Sequence, residues 1–293
     1  MFKTIKLQFL PILICLLMTG LICISALHLN INSDIAANAD IANTDCIDIP
    51  IIMYHAVSDA QSIQGDYVIS SAEFENDIIY FKQNNYSFVL ISDIINFVKG
   101  NKDIPKKSVA LTFDDGYYNN YLYAYPLIKK YNAKISLAPI AYFSELYSNN
   151  GEISEYYSHC TWQQLKEMAD SGLVELGNHS YNLHTCDGTH NGIGQLANED
   201  TYVYKDRIRK DLTAAQNIIS ENTGVTCQFI AYPFGIYNKS TQELVKEMGF
   251  SAALTCTGGI NHLQKGNIDS LFELKRLIRP HNCEINNIIE KWS

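Results

Sequence analysis

VALTFDDGY, the stretch from Val109 to Tyr117, joins a short apolar run to two adjacent acids and a glycine. The apolar run predicts a buried strand that stops at an open edge of its sheet. Successive side chains of a strand point to opposite faces, but at its frayed end Asp114 and Asp115 can reach one cavity from two sides. One carboxylate can then bind a cation while the other meets an attacking water, and Gly116 permits a sharp turn. Alternatively, both acids are solvated and one caps the next helix.

A second polar stretch, GNHSYNLH at residues 177–184, follows another short apolar run. Together with Asp115, its His179 and His184 make a set of two histidines and one carboxylate. Three protein ligands that leave the remaining position to water are typical of a catalytic zinc site. With this spacing the two histidines would not share a helix face, but a loop at a strand end can bring them together. The alternative is a pair of ordinary surface or core imidazoles.

These motifs, in this order, resemble those of the polysaccharide deacetylase family, the NodB-homology carbohydrate esterases. Its first two motifs match TFDDG, Thr112 to Gly116, and His179-Ser180. The segment IMYHAV at residues 52–57 is similar to the subset that opens with Met-Tyr-His and includes the poly-N-acetylglucosamine deacetylases. The resemblance extends from Ile49 to Ile278, which is most of the chain.

The resemblance implies metal-assisted hydrolysis of an acetylated sugar, with a role for each motif residue. Asp114 corresponds to the catalytic base, and Asp115, His179 and His184 correspond to the metal ligands. Most of the family spaces the two histidines by four residues, whereas this chain has the longer spacing of the Met-Tyr-His subset. A ligand set of this kind suits Zn²⁺ and also accepts other divalent ions.

The third motif departs from the family pattern. It reads AYPFG at residues 231–235 and lacks the usual arginine, which leaves the partner of the catalytic aspartate open between Arg276 and Arg279. Either arginine is equally compatible with a structural ion pair. The backbone N–H near Phe234 is expected to join the metal in stabilising the oxyanion.

The general acid has two candidates. The resemblance to the Met-Tyr-His subset points to His55 at the end of the first strand, and His281 is the second choice. His55 is also compatible with a capped core histidine. Cys186 lies two residues after His184, but we do not assign it as a ligand because the resemblance already fills the metal shell.

Composition limits the partners. The chain has 293 residues, of which 47% are apolar and 18% charged, so it is globular. Its net charge of -9 argues against nucleic acid or an anionic membrane surface as the main partner. Of the 8 cysteines, those beyond the N-terminal apolar run form no CxxC pair, and disulfides and buried thiols both remain open.

The N-terminus carries an export pattern. Lys3 and Lys6 precede an apolar run that extends to Leu29, which is typical of a signal-anchor or a cleaved signal peptide. Residues 30–48 are rich in Asn, Asp and Ala and are interpreted as a tether. The catalytic domain is predicted at residues 49–293, outside the cytoplasm in the cell envelope, with membrane attachment only through the N-terminal segment.

Strand and helix patterns alternate along this domain, which predicts parallel βαβ units. Acids and histidines at several strand ends must converge on one rim, so a closed or distorted barrel fits better than an open sheet. The resemblance sets the number of strands in this distorted (β/α) barrel at about seven, all parallel. Residues 184–202 are polar and rich in Gly and Asn, which predicts a long loop at the functional rim.

The expected function is an exported N-deacetylase of N-acetylglucosamine-containing polysaccharide, with an aspartate base and a metal-bound water. A sugar O-acetyl esterase and a non-catalytic glycan-binding domain of the same fold are the alternatives. Peptidoglycan, poly-N-acetylglucosamine and chitin-like oligomers all remain open as substrates.

Overall fold

The computed structural model describes residues 45–186 and 191–292. The predicted signal segment at 1–29, residues 30–44 of the tether and His190 in the long polar loop lie outside the described residues. Within the described part of the chain, no helix has both the length and the apolar character needed to cross a membrane.

Strand β6, which contains the VALTFDD stretch, is buried along its whole length and lies at the centre of the main sheet. Helices or other strands cover both faces of a strand in a parallel sheet. The continuous apolar run of β6 is suited to this complete burial. The described strands are β1 (Cys46–Ile49), β2 (Ile51–Tyr54), β3 (Ala56–Val57), β4 (Val68–Ile69), β5 (Ser87–Phe88), β6 (Ser108–Asp115), β7 (Ile135–Pro139), β8 (Val174–Leu176), β9 (Phe229–Ala231), β10 (Ala252–Leu254), β11 (Asn261–Gln264) and β12 (Leu277–Ile278).

Parallel strands pair with one another in a ring. The main sheet has the order β12-β2-β6-β7-β8, with β5 beside the start of β6, and β9 pairs with β10. Single parallel bridges continue the pairing from Asn178, after β8, to Ile230 in β9, and from Leu254 in β10 to Leu274, just before β12. Among the described residues, the strands of this ring are β2, β6, β7, β8, β9, β10 and β12, which agrees with the predicted distorted barrel of about seven strands.

Helices follow most of these strands and cover the outside of the ring. They are α1 (Ser71–Gln83), α2 (Ile91–Val98), α3 (Tyr125–Tyr131, continuing a π-helical turn at Asn120–Ala124), α4 (Ala141–Asn150), α5 (Trp162–Asp170), α6 (Thr201–Thr223), α7 (Lys239–Glu247) and α8 (Ile285–Glu290). The sequence patterns predicted most of them but not α4 and α8, whose short amphipathic patterns are weak on their own.

The start of the domain differs from the prediction. β1 begins at Cys46, inside the predicted tether, and pairs antiparallel with β11. Its side chains alternate, with Ile47 and Ile49 buried, so the period-two pattern extends further back than the composition indicated. Pro50 separates β1 from β2, since a proline has no N–H for a ladder, and the two strands have different neighbours.

Because the strands of the ring are parallel, their carboxyl ends open on one rim. An aromatic cluster beneath this rim fixes β2 and β6 against α1. The Tyr54 ring stacks on Phe113 at a centroid distance of 5.0 Å, and Phe74 packs edge-on against both rings. The side chains at this rim come from four strand ends: His55 follows β2, Asp114 and Asp115 end β6, His179 and His184 follow β8, and Phe234 follows β9. Arg276, just before β12, pairs with Asp114.

Candidate active site

The end of β6 bends so that both of its carboxylates line one cavity. Asp115 has a φ of 67° and Gly116 a φ of 74°, so two consecutive residues adopt the left-handed conformation. Gly116 has no alternative here, because a Cβ would lie 2.8 Å from the Cβ of Pro139. A non-glycine residue held in this conformation is strained, and such strain is common where a side chain is aimed at a functional cavity.

Asp115, His179 and His184 form a cluster that could hold a metal ion. One ligand atom from each lies within 4.8 Å of the others. The Nε2 atoms of His179 and His184 are 3.4 Å and 3.5 Å from Oδ1 of Asp115. That Oδ1 atom is buried and has no hydrogen-bond partner among the described residues, which is unfavourable unless a cation binds there.

A hydrogen bond to the backbone of β9 orients this cluster. Nδ1 of His179 lies 2.8 Å from the carbonyl oxygen of Ala231 in β9 and donates its proton there, which leaves Nε2 free to bind a metal. Asn178, the residue before His179, forms a parallel bridge with Ile230 of β9. The strand pairing of the barrel therefore fixes the position of the His179 imidazole. Two nitrogens and one carboxylate oxygen suit a divalent ion such as Zn²⁺.

Asp114 points to the other side of the cavity, where Arg276 binds it. The guanidinium donates two hydrogen bonds of 2.7 Å to the two carboxylate oxygens, and both side chains are buried. Arg276 also donates to the carbonyl of Thr255 at 2.8 Å, which fixes its orientation. Burial by itself would raise the pKa of Asp114, but the charges of Arg276 and His179 hold it well below its ordinary range.

The structure therefore separates the two candidate arginines. Arg276 is the candidate that pairs with Asp114. Arg279 instead pairs with Asp77 of α1, with N–O distances of 2.7 Å and 3.0 Å, and Tyr54 donates to the same carboxylate at 3.0 Å. That pair lies behind the sheet and ties β12 to α1.

The two candidates for the general acid, His55 and His281, also lie in different places. His55 lines the cavity, and its Nδ1 is buried without a hydrogen-bond partner among the described residues. His281 does not line it; its ring lies 2.7 Å from Glu73 at the start of α1. Burial lowers the pKa of His55, although the charges of Asp114 and Asp115 partly offset the effect.

Phe234 lies on the cavity rim. Its φ of 57° turns the chain after β9, and its ring, 42% exposed, lies 4.2 Å from the ring of His184. Gly235, with a φ of 67°, completes the turn, and a Cβ there would lie 2.6 Å from Cβ of Cys256. The predicted role of the backbone N–H near Phe234 stays a prediction.

The cavity has a volume of about 640 Å³, which is ample for a sugar unit. Aromatic side chains that the sequence did not single out form much of its wall: Tyr67, Tyr117 and Tyr156. The chain has 19 tyrosines, so composition gave no signal for these three. Tyr67 and Tyr156 are more than half exposed, and the Tyr67 ring packs edge-on against His55 at 4.8 Å.

The cysteines of the described residues are free thiols: Cys46, Cys160, Cys186, Cys227, Cys256 and Cys283. Cys186 is exposed and does not belong to the cluster that could hold a metal. Cys160 and Cys227 are buried, and burial raises the pKa of each thiol to about 12, so both behave as small apolar side chains.

Known proteins resemble this chain in sequence and in structure. The sequence model of the family described as polysaccharide deacetylase matches residues 101–253. The poly-beta-1,6-N-acetyl-D-glucosamine N-deacetylase of Escherichia coli (strain K12) is 24% identical over 258 residues, which cover 82% of this chain and 38% of that protein. The protein of the same name from Staphylococcus aureus (strain MSSA476) is 28% identical over 184 residues, with coverages of 63% and 59%.

The chain thus spans less than two thirds of the length of these curated relatives. Among solved structures, IcaB from Ammonifex degensii superposes with a TM-score of 0.67 at 27% identity, covering 80% of this chain and 93% of that one. The matched family region covers more than half of the sequence and contains Asp114, Asp115, His179 and His184. The chain belongs to the polysaccharide deacetylase family.

Proposed function

We propose that this protein is a metal-dependent N-deacetylase that removes acetyl groups from polymers of N-acetylglucosamine. The observation that carries the proposal is the pairing of two neighbouring carboxylates with different partners. Asp115 lies with two histidines in a cluster that could hold a metal, while Arg276 keeps Asp114 ionised beside it. The names of the relatives from E. coli and S. aureus support an N-acetylglucosamine polymer as the substrate.

Asp115, His179 and His184 would hold the metal, which supplies Lewis-acid polarisation of the acetyl carbonyl and an activated water. Asp114 lines the same cavity and accepts the proton of the attacking water. Its lowered pKa means that the carboxylate is ionised before the reaction, so its oxygens are available to take a proton. Arg276 holds both carboxylate oxygens, so Asp114 stays in one orientation during the transfer. The backbone N–H near Phe234 donates to the developing oxyanion.

His55 completes the proton balance. When the C–N bond breaks, the amine nitrogen of the sugar needs a proton, and His55 lines the same cavity as Asp114. Its lowered pKa makes the protonated imidazole a stronger acid than a free histidinium, and only the protonated fraction is competent. The products are acetate and a free amino sugar. Nδ1 of His55, which has no hydrogen-bond partner in the described part of the chain, is consistent with a role that needs substrate present.

The proposal includes export. Residues 1–29 act as a signal-anchor or a signal peptide, and the catalytic domain that follows works in the cell envelope. Lys3 and Lys6 before the apolar run support this placement.

Acetate release tests the function. The purified protein is incubated with β-1,6-linked N-acetylglucosamine oligomers, peptidoglycan or acetylated xylan, with Zn²⁺ or with a chelator. We expect metal-dependent release of acetate from an N-acetylated polymer. Release from xylan alone would replace the proposal with an O-acetyl esterase, and metal binding without any release would indicate a glycan-binding protein.

A further inference from the structure

A second cavity lies beside the active-site cavity. It has a volume of about 300 Å³, and Cys256 and Ile278 line both cavities. Cys256 is exposed and Ile278 is 38% exposed, so these two side chains form an open surface between the cavities. A polymer can therefore place one sugar unit in the active-site cavity and continue over this surface into the second cavity.

Trp292 forms a wall of the second cavity, and its side chain is 44% exposed. The indole lies against the backbone of Gly258, because a Cβ at that position would be 2.7 Å from the ring. Helix α8 anchors the segment through buried Ile288 and Ile289, and the backbone N–H of Trp292 donates to the carbonyl of Ile289 at 3.1 Å. The backbone of Trp292 is thus anchored, and the indole packs on Gly258 while a large part of it faces solvent.

The lining of the second cavity suits a sugar ring. Hexosamines have apolar C–H faces and polar edges, and sites for such ligands combine aromatic walls with a few polar groups. Trp292 provides the aromatic wall, and the exposed Asn287 provides a side-chain amide. The Lys291 ammonium lies over the indole, 5.8 Å from the ring centroid, so a stacked sugar would take its place and meet it as a hydrogen-bond donor.

We propose that the second cavity binds a neighbouring hexosamine unit of the same polysaccharide chain, stacked on Trp292, while the unit to be deacetylated lies at the metal cluster. This assignment rests on the proposed function, because only a polymeric substrate occupies both cavities together. The second cavity gives the enzyme a preference for oligomers over single sugars.

Fluorescence tests the binding without turnover. The chain has 2 tryptophans, and Trp162→Phe leaves Trp292 as the only one. In that background, Asp114→Asn slows hydrolysis enough for binding to be measured. We expect titration with β-1,6-linked N-acetylglucosamine oligomers of increasing length to change the Trp292 emission, whereas the N-acetylglucosamine monomer does not. An emission that long oligomers leave unchanged would contradict the proposal.

Kinetics provide the second measurement. Trp292→Ala should lower kcat/KM for the longer oligomers about five- to tenfold relative to the monomer, which is the effect of losing one aromatic stacking contact. Gly258→Ala should have the same effect, because the added Cβ displaces the indole. Tyr202→Ala is the matched control: it removes an aromatic side chain that is 82% exposed and lines neither cavity.

The outcomes separate the two proposals. If the wild-type protein releases no acetate from any oligomer, the proposed function fails, and the fluorescence titration still decides whether sugars bind at Trp292. If the wild-type protein is active and both cavity variants keep its preference for longer oligomers, the second cavity is not a sugar site. Should Trp292→Ala fail to fold, as judged by circular dichroism, Gly258→Ala and the titration decide alone.

Discussion

At the scale of single residues, two adjacent carboxylates acquire different chemistry from their partners. Asp114 accepts two hydrogen bonds from Arg276, so its charge is balanced within the protein. Asp115 lies with His179 and His184 and keeps one buried oxygen without a hydrogen-bond partner among the described residues. The left-handed backbone at Asp115 is what lets neighbours on one strand face one cavity.

Substitution separates the two proposed roles. Asp114→Asn should keep the bound metal and lower acetate release by a factor of about 100 to 10,000, the range for loss of a general base. Asp115→Asn should lose metal and activity together. Metal content by elemental analysis and acetate release are measured on the same preparations, and near wild-type turnover of Asp114→Asn would refute its role as the base.

Removal of Arg276 should destabilise the fold. Arg276→Met leaves a buried carboxylate without a counter-charge, which costs about 3–5 kcal/mol of unfolding free energy. The double variant Arg276→Met with Asp114→Asn should recover part of that loss, because it no longer buries a charge. Urea denaturation measures all three proteins. Arg209→Met is the control: its pair with Glu247 is exposed and screened by solvent, so its loss should change stability little.

At the scale of secondary structure, the start of α1 is held from two directions. Ser70 accepts a hydrogen bond from the N–H of Glu73, and the Glu73 carboxylate accepts one from the N–H of Ser70 at 2.8 Å, so the two form a capping box. The same carboxylate accepts from His281 and from the N–H of Asn282. The cap thus also fixes the segment between β12 and α8.

The Glu73 carboxylate should make the unfolding free energy of the protein depend on pH. Burial would raise the pKa of Glu73, but the hydrogen bonds from Ser70, His281 and Asn282 lower it from 4.5 to about 2. A lowered pKa stabilises the folded state fully above pH 4.5, and the contribution disappears as the pH falls towards 2. After a discount for solvent screening, the contribution is about 1–2 kcal/mol.

Glu73→Gln should therefore be less stable than the wild-type protein at neutral pH, and the difference should shrink between pH 4.5 and 2. Urea denaturation at a series of pH values measures it. The exposed Glu221→Gln on α6 serves as control. A stability difference that does not vary with pH would show that the hydrogen bonds of Glu73 do not depend on its charge.

At the scale of the whole molecule, the barrel joins distant parts of the chain. Asp114 and Arg276 are separated by 162 positions in sequence, and the candidate metal ligands come from two different strand ends. A metal bound at the cluster binds the folded protein only, because the unfolded chain does not hold these ligands together.

Zn²⁺ should therefore stabilise the whole domain. At a free concentration about 100 times the Kd, the gain in unfolding free energy is about 2.7 kcal/mol, which raises the Tm by roughly 5–10 °C for a domain of this size. Thermal unfolding with Zn²⁺ and with a chelator measures the shift. Asp115→Asn should show little of it, and an equal shift in that variant would place the metal elsewhere.

The sequence alone determined the strand that ends in Asp114 and Asp115, the alternation that builds a parallel α/β barrel, and the set of Asp115, His179 and His184. These features depend on local periodicity and on motifs whose residues lie close together along the chain. β1 begins at Cys46, before the predicted first strand, and the strand that it pairs with, β11, is remote in sequence.

Only the tertiary structure decided which distant side chains meet. It placed Arg276 on Asp114 and Arg279 on Asp77, and it placed His55 in the cavity while His281 pairs with Glu73. It also showed the cysteines of the described residues as free thiols and brought Trp292 beside the active-site cavity. Such contacts depend on strand register and on the direction in which a side chain leaves the rim, and neither is encoded in local sequence spacing.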